Sequence, residues 1–169
     1  MLYVEGLSRK EVELISWLEF YEKYFFTSED VDKFAKNKTQ RYNTIRNLLK
    51  KKRIVKLNRK KYYLVPIKAK SGGWSEDAFV LADEIFDGEG YYIAGWSAAN
   101  YWRLTEQIPM RTEVHTTKRQ GEMRVMNTPF IFRRTTRARV AQAVTQEVKG
   151  HPFKVMNKEE MEKWMRLRD

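Results

Sequence analysis

The sequence predicts an α+β protein in two parts: an N-terminal winged helix-turn-helix and a small C-terminal α+β domain with an antiparallel sheet. Three observations support this fold class. Three short helical patterns precede two short strand patterns that are joined by a basic turn. The excess positive charge lies almost entirely in this first part of the chain. After Pro109 the pattern changes to short, strand-like segments separated by turns.

The distribution of charge separates the two parts. The 169 residues have a formal net charge of +11. Residues 1–70 carry 18 basic and 8 acidic side chains, whereas residues 71–169 carry 15 basic and 14 acidic ones. No Asp or Glu occurs from Lys33 to Ser75, and this acid-free stretch favours a polyanionic partner. We therefore predict a DNA-binding domain over residues 1–70 and an interaction domain over residues 71–169.

Composition excludes several classes of protein. The chain has no cysteine, which excludes disulfides, thiolate zinc sites and a cysteine nucleophile, and fits a reducing compartment. No apolar run approaches the roughly 18 residues that a membrane span needs, and no secretory signal is visible at the N-terminus. The expected location is the cytoplasm, with no membrane partner.

The first two helices are predicted from their caps. Ser8 followed by Glu11 forms a capping-box pattern that opens the first helix. Thr27 with Asp30 three residues later is a second such pattern, and the acids near it suit a helix N-terminus. Asn37 is predicted to end the second helix in a left-handed conformation.

A third helix is predicted over residues 39–52. Helical spacing assigns Tyr42, Ile45, Leu48 and Leu49 to its buried face. Residues 54–57 and 62–65 then have the pattern of two short strands, and the polar, basic residues 58–61 form the turn between them. Three short helices followed by a basic hairpin have the order of a winged helix-turn-helix.

The opposite face of the third helix is the predicted base-reading surface. In a winged helix-turn-helix this helix enters the major groove, and the hairpin reaches a neighbouring backbone or minor groove. Amide side chains can pair bidentately with adenine. The predicted base-reading residues are Gln40, Asn43, Thr44 and Asn47.

Basic side chains around this surface are predicted to bind phosphates, which position a protein on DNA without reading its sequence. They are Lys36, Lys38, Arg41, Arg46, Lys50, Lys51, Arg59, Lys60 and Lys61. A second basic cluster consists of Arg133, Arg134, Arg137 and Arg139. It is interpreted as a solvated strand end, an extra phosphate contact or a docking patch for an acidic partner.

The second part begins after a polar segment, Lys68–Gly73, that has the composition of a linker. Ser75 is expected to cap a fourth helix. Short strands are expected near residues 91–94, 112–117, 122–126 and 130–134, with at least one more in 148–156. Asn157 followed by Glu160 predicts the cap of a last helix.

The sequence contains little catalytic signal. His115 and His151 are interpreted as structural or surface residues, since no zinc-binding spacing includes them. No phosphate-binding loop or dinucleotide fingerprint is present. Glu147 and Lys149 have a spacing used by metal-dependent nucleases, but no second carboxylate stands out to share a metal with them. We predict no enzymatic activity, no metal and no cofactor.

Several segments of the second part resemble a known family. They are Tyr91–Ala99 (YYIAGWSAA), Leu104–Pro109 (LTEQIP), Glu113–Arg119 (EVHTTKR) and Phe130–Phe132 (FIF). With the winged helix, these segments are similar to the AbiE-type antitoxins, which are transcriptional regulators of type IV toxin–antitoxin systems. The resemblance covers roughly residues 24–156.

The resemblance implies a bifunctional protein. Its N-terminal domain would bind an inverted repeat at its own promoter, with a homodimer on the DNA, and repress the operon. Its C-terminal domain would help to neutralise a nucleotidyltransferase-like toxin. Two alternatives stay open: a stand-alone regulator without a toxin, and a protein- or RNA-interaction module whose basic half binds an acidic partner or RNA without operator specificity.

Overall fold

The computed structural model describes residues 6–66 and 75–168, and the chain divides into two compact units, residues 1–74 and 75–169. Both units combine helices with strands, which confirms the α+β class. The segment Lys68–Gly73, predicted as a linker, lies outside the described residues, as does the predicted boundary between residues 70 and 71.

The described part of unit 1 contains three helices and a three-stranded antiparallel sheet. Its elements are α1 (Arg9–Phe20), β1 (Phe25–Thr27), α2 (Ser28–Val31), α3 (Lys38–Lys50), β2 (Ile54–Lys56) and β3 (Lys61–Leu64). The predicted hairpin is confirmed as β2 and β3, and β1 pairs with the other side of β3. The sequence did not predict β1, because three residues are too few to show alternation.

Capping side chains set the ends of the helices in unit 1. The Ser8 hydroxyl accepts a 3.3 Å hydrogen bond from the backbone N–H of Glu11, and the Glu11 carboxylate accepts one of 2.6 Å from the N–H of Ser8. This capping box is confirmed. The prediction for Asn37 is wrong: its backbone is extended, and its side chain accepts a 2.8 Å hydrogen bond from Gln40 N–H at the start of α3. Asn is common at both ends of helices. Here its side chain accepts a hydrogen bond from an N–H at the start of α3 that has no partner within the helix.

The core of unit 1 forms where the apolar sides of the helices pack on the sheet. Its most buried members include Leu14, Leu18, Phe26, Val31, Leu48, Ile54 and Leu64. Tyr42 was predicted to belong to this face but is 64% exposed. Ile45 and Leu48 define the inward side of α3. Because successive residues of a helix are rotated by about 100°, Tyr42 lies on the flank of that side.

Unit 2 is built on one six-stranded sheet. Its elements are α4 (Ala78–Phe86), β4 (Tyr91–Ile93), α5 (Gly95–Tyr101), β5 (Thr112–Thr116), β6 (Gly121–Val125), β7 (Thr128–Arg134), α6 (Arg137–Ala141), β8 (Val144–Val148), β9 (His151–Val155) and α7 (Lys158–Arg166). The strand order is β6-β7-β5-β4-β9-β8.

The sheet of unit 2 is mixed, so the prediction of an antiparallel sheet is wrong. β4 pairs in parallel with β9 and β5 in parallel with β7, whereas the other three pairings are antiparallel. Sequence patterns reveal which neighbouring strands form hairpins, and β6–β7 and β8–β9 are hairpins. They do not reveal which strand of a hairpin docks against the rest of the sheet.

In unit 2 one helix begins later than predicted, one helix was not predicted, and one begins as predicted. Asp77, not Ser75, caps α4, and its carboxylate accepts a 2.8 Å hydrogen bond from Phe79 N–H. Helix α6 was not predicted, because its five residues have no buried side chain and hence no apolar periodicity. Asn157 caps α7 as predicted, and its side chain accepts a 2.9 Å hydrogen bond from Glu160 N–H.

The core of unit 2 is rich in aromatic rings. Phe86 stacks on Tyr91 with ring centroids 5.5 Å apart, and Phe79 stacks on Phe153 at 4.9 Å. The central strand β4 is buried along its whole length. Across the two described ranges, no helix has the length and apolarity to cross a membrane.

Candidate nucleic-acid interface

The outward face of α3 carries two exposed asparagines. Asn43 and Asn47 are four residues apart, so their side chains project from the same face of the helix one turn apart. Neither side chain makes a hydrogen bond within the described parts of the chain. Both amides therefore retain a full set of donors and acceptors for a ligand.

The two other predicted base-reading residues are half-buried and already engaged. The Gln40 side-chain oxygen accepts a 2.7 Å hydrogen bond from Lys36 N–H. The Thr44 hydroxyl donates a 2.9 Å hydrogen bond to the backbone carbonyl of Gln40. Gln40 thus keeps its amide donors for a base, and its side-chain oxygen, which has two lone pairs, already accepts one hydrogen bond.

A groove lies between the start of α1 and the outward face of α3. It has a volume of about 630 Å³. Its lining includes all four predicted base-reading residues, together with Lys10 and Lys36. Lys10 was missed at the sequence level, because its position early in the first helix lies outside the acid-free stretch.

Six of the nine predicted phosphate-binding side chains are exposed and form no ion pair in the described parts of the chain. They are Lys36, Lys38, Arg46, Lys50, Arg59 and Lys60. Lys36 and Lys38 flank the N-terminus of α3, and Arg59 and Lys60 lie at the tip of the β2–β3 hairpin. Lys61 is half-buried in β3.

The other two predicted phosphate-binding residues form internal ion pairs. Arg41 Nη1 contacts both carboxylate oxygens of Asp32, at 2.9 and 2.8 Å. Lys51 Nζ lies 2.7 Å from the Glu11 carboxylate, whose side chain is only 3% exposed. Burial alone would raise the pKa of Glu11, but the hydrogen bonds from Lys51 and Ser8 outweigh it and hold the pKa below its usual value.

The second basic cluster divides between the sheet and a helix. Arg133 Nε lies 3.2 Å from Glu113 Oε1, and Arg134 Nη1 donates a 2.8 Å hydrogen bond to the carbonyl of Thr117. Arg137 and Arg139 are exposed on α6 and form no ion pair with any described residue. Two of the four guanidinium groups therefore already bond to other groups of unit 2, at the C-terminal end of β7.

The segment Tyr91–Ala99 has a structural explanation that starts at Gly95. This glycine has a φ of +55°, and a Cβ added to it would collide with the carboxylate of Glu113. Ser97 Oγ accepts a 3.0 Å hydrogen bond from Glu113 N–H and donates one of 3.3 Å to the carbonyl of Arg111. The glycine and the serine together hold α5 against β5.

Glu113 continues into a chain of polar contacts across the sheet. Its Oε1 lies 2.8 Å from His115 Nε2, and His115 Nδ1 lies 3.3 Å from the Tyr92 hydroxyl. The hydrogen bond from His115, with help from Arg133, outweighs burial and lowers the pKa of Glu113. The chain of contacts gives His115 a structural role and accounts for the Tyr, Gly and Ser positions of the segment.

Glu147 and Lys149, whose spacing is used by metal-dependent nucleases, lie at the end of β8 and in the turn that follows it. In the β8–β9 hairpin, Val148 pairs with His151 and Glu147 pairs with Pro152. Paired residues share a face of a sheet and successive residues alternate, so Glu147 and His151 project from opposite faces. Lys149 lies in the turn, with a φ of +51°.

No protein-family model and no curated protein matches this chain. The interface is therefore interpreted from its own residues.

Proposed function

We propose that unit 1 is a winged helix-turn-helix and that the protein is a sequence-specific regulator that binds double-stranded DNA. The observation that carries this proposal is the outward face of α3. Within the described residues, Asn43 and Asn47 present unpaired amides there, and exposed cations without ion pairs lie at its start and at the hairpin tip. Such a surface combines groups that read bases with groups that bind phosphates.

In this proposal α3 enters the major groove. Asn43 and Asn47 would each pair with an adenine edge, and Lys36 and Lys38 would contact the phosphates at the helix N-terminus. Arg59 and Lys60 at the hairpin tip would contact the neighbouring backbone. Arg41 and Lys51 would contribute little, because their charges are neutralised within the protein.

Binding would repress transcription by occupying an operator. A single module of this size buries little surface on DNA, whereas two copies on an inverted repeat double the number of contacts. The resemblance to AbiE-type antitoxins supports an operator at the protein's own promoter. We therefore propose autorepression by a homodimer on the DNA.

The same resemblance supports a second role for unit 2, the neutralisation of a nucleotidyltransferase-like toxin. Two side chains in or beside the resembling segment Leu104–Pro109 are strongly exposed: Ile108 at 82% and Met110 at 93%. Exposed apolar side chains of this kind suit a protein interface. Co-expression of the chain with the product of a neighbouring gene, followed by co-purification, tests this role.

The DNA-binding proposal is tested by comparing two duplexes of equal length, the sequence upstream of the gene and its scramble, across a salt series. Contact with about six phosphates predicts a log–log salt slope near −5. Tight binding that favours the upstream duplex supports an operator. Equal binding to both duplexes and to single-stranded RNA would favour the nonspecific interaction module, and binding to none would exclude a nucleic-acid function for unit 1.

A further inference from the structure

We propose that Asp83, Glu84 and His151 form a binding site for a divalent transition-metal ion in unit 2. The three side chains each offer one ligand atom, and these atoms all lie within 4.8 Å of one another. All three residues belong to unit 2, whereas the candidate base-reading face belongs to unit 1.

The distances between the ligand atoms suit a shared ion. His151 Nε2 lies 3.0 Å from Asp83 Oδ2 and 3.7 Å from Glu84 Oε1. A zinc ion bound at about 2.0–2.2 Å to each ligand places neighbouring ligand atoms about 3–4 Å apart. Small side-chain rotations would therefore bring the three atoms around one ion.

The Asp83 carboxylate is held in place from behind by Tyr91. The Tyr91 hydroxyl donates a 2.7 Å hydrogen bond to Asp83 Oδ1 and accepts one of 3.1 Å from Lys154 N–H. Tyr91 is fully buried, and burial together with the Asp83 contact raises the pKa of its hydroxyl, which stays a donor. This contact leaves Asp83 Oδ2 directed at His151, as outer-shell hydrogen bonds do in metal sites.

The three ligands come from two elements that pack on each other. Asp83 and Glu84 are adjacent in α4, and His151 is the first residue of β9. Their side chains are 14%, 16% and 26% exposed, so solvent and ions reach them. The sequence could not reveal the set, because no spacing motif joins residues so far apart along the chain.

The ligand chemistry selects the class of ion. Imidazole nitrogen favours zinc and its first-row neighbours, whereas magnesium and calcium prefer ligand sets made of oxygen alone. Two carboxylates supply the negative charge that a divalent ion requires. With three protein ligands, water would complete the coordination. The bound ion would tie α4 to β9.

The test is zinc binding to the full-length, untagged protein after chelator treatment and dialysis, by calorimetry and by metal analysis. We expect one zinc ion per chain and a melting temperature that rises with zinc concentration, because the ion binds the folded state. His151→Gln is expected to lose this binding. Tyr91→Phe is expected to weaken it by about 10- to 100-fold, through loss of carboxylate positioning.

His115→Gln is the matched control. His115 also contacts a carboxylate, that of Glu113, but Arg133 Nε lies 3.2 Å from the same oxygen and already supplies positive charge there. This variant is expected to keep full zinc binding. Glu84→Gln removes a second ligand and leaves the Tyr91–Asp83 contact intact. Circular dichroism verifies that each variant is folded.

Three results would overturn the proposal. They are the absence of stoichiometric zinc binding by the wild-type protein, binding that survives both His151→Gln and Glu84→Gln, and binding that His115→Gln removes equally. Magnesium binding of equal strength in the wild-type protein and in His151→Gln would show an all-oxygen site, which also contradicts the role given to the histidine.

Discussion

The carboxylate of Glu11, in the first turn of α1, accepts a 2.7 Å hydrogen bond from the ammonium of Lys51, just after the end of α3. Glu11 also completes the capping box with Ser8. One buried carboxylate therefore fixes the start of the first helix and anchors the end of the helix that carries the candidate DNA-reading face.

Replacing Lys51 should destabilise unit 1. Lys51→Met leaves the Glu11 carboxylate buried with only the Ser8 hydrogen bonds, a loss we expect to lower the free energy of unfolding by about 1–3 kcal/mol. Lys50→Met is the matched control, since Lys50 is exposed and forms no ion pair with described residues. Urea unfolding measures both variants, and equal stabilities would contradict the role of the ion pair.

The stability of the protein should fall in acid through Glu11 and Asp30. Burial raises the pKa of each carboxyl, but hydrogen bonds outweigh it, from Lys51 and Ser8 to Glu11 and from Lys23 and Thr27 to Asp30. Both folded pKa values then lie below the ordinary values of 4.5 and 3.8. A carboxyl whose pKa is lower in the folded protein stabilises the fold at pH values above its unfolded pKa. This stabilisation is lost as the pH falls through the folded pKa.

Urea unfolding between pH 7 and pH 3 checks this dependence. We expect the free energy of unfolding to be nearly constant above about pH 5 and to drop below it. Glu11→Gln should be less stable at pH 7 and should show a smaller drop. An identical drop in the variant would exclude Glu11 as a source of the acid sensitivity.

Asn43→Ala and Asn47→Ala should each weaken binding to the upstream duplex by about 1–3 kcal/mol while sparing the scrambled duplex. The reason is that an amide pairs with a base edge only at the matching site. Lys60→Ala should weaken binding to both duplexes, because phosphates are present in each. Fluorescence anisotropy measures the affinities, and equal losses on both duplexes for the asparagine variants would remove α3 as the reader.

Arg41 and Arg46 should differ in their effect on salt dependence, although both were predicted to bind phosphates. Arg46→Gln should reduce the log–log salt slope by about 0.9, the value for one phosphate contact. Arg41→Gln should leave the slope unchanged, since Asp32 already neutralises Arg41. A smaller slope for Arg41→Gln would mean that DNA displaces Asp32.

Gly95→Ala should destabilise unit 2 far more than Gly150→Ala. Both glycines have positive φ, +55° and +77°, so both substitutions carry a similar backbone cost. A Cβ at Gly95 would also collide with Glu113, whereas none of the described atoms lies within 4 Å of a Cβ at Gly150. We expect a further loss of about 1–3 kcal/mol at Gly95, measured by thermal or urea unfolding. Equal losses would mean that Glu113 moves aside freely.

The sequence predicted those elements that local chemistry determines. The Ser8 and Asn157 caps and the β2–β3 hairpin depend on contacts between residues close in the chain, which spacing reveals. The predicted burial of Tyr42 was wrong, because helical spacing defines the apolar side of a helix only to within about a quarter turn. The prediction of an antiparallel sheet was wrong, because the parallel β4–β9 and β5–β7 pairings are set by tertiary packing.

The outline of the candidate interface could be predicted because its basic residues lie close together in the chain. An acid-free basic stretch on a helix and hairpin is visible in composition alone. The acids that neutralise Arg41 and Lys51 lie earlier in the chain, at Asp32 and Glu11, so those ion pairs required the structure. The cluster of Asp83, Glu84 and His151 also joins residues that are far apart in the chain, so the sequence did not reveal it.

The pairing of the central strand β4 with β9 also bears on the order of folding. Ile93 finds its partner Val155 only after most of unit 2 has been synthesised, whereas the sheet of unit 1 is complete once Leu64 has emerged. Domains generally fold as units during translation, with the N-terminal one first. On the ribosome, unit 1 can therefore be native while strands of unit 2 still await their partners. Unpaired strand edges favour aggregation, so nascent unit 2 is open to that hazard for longer than unit 1.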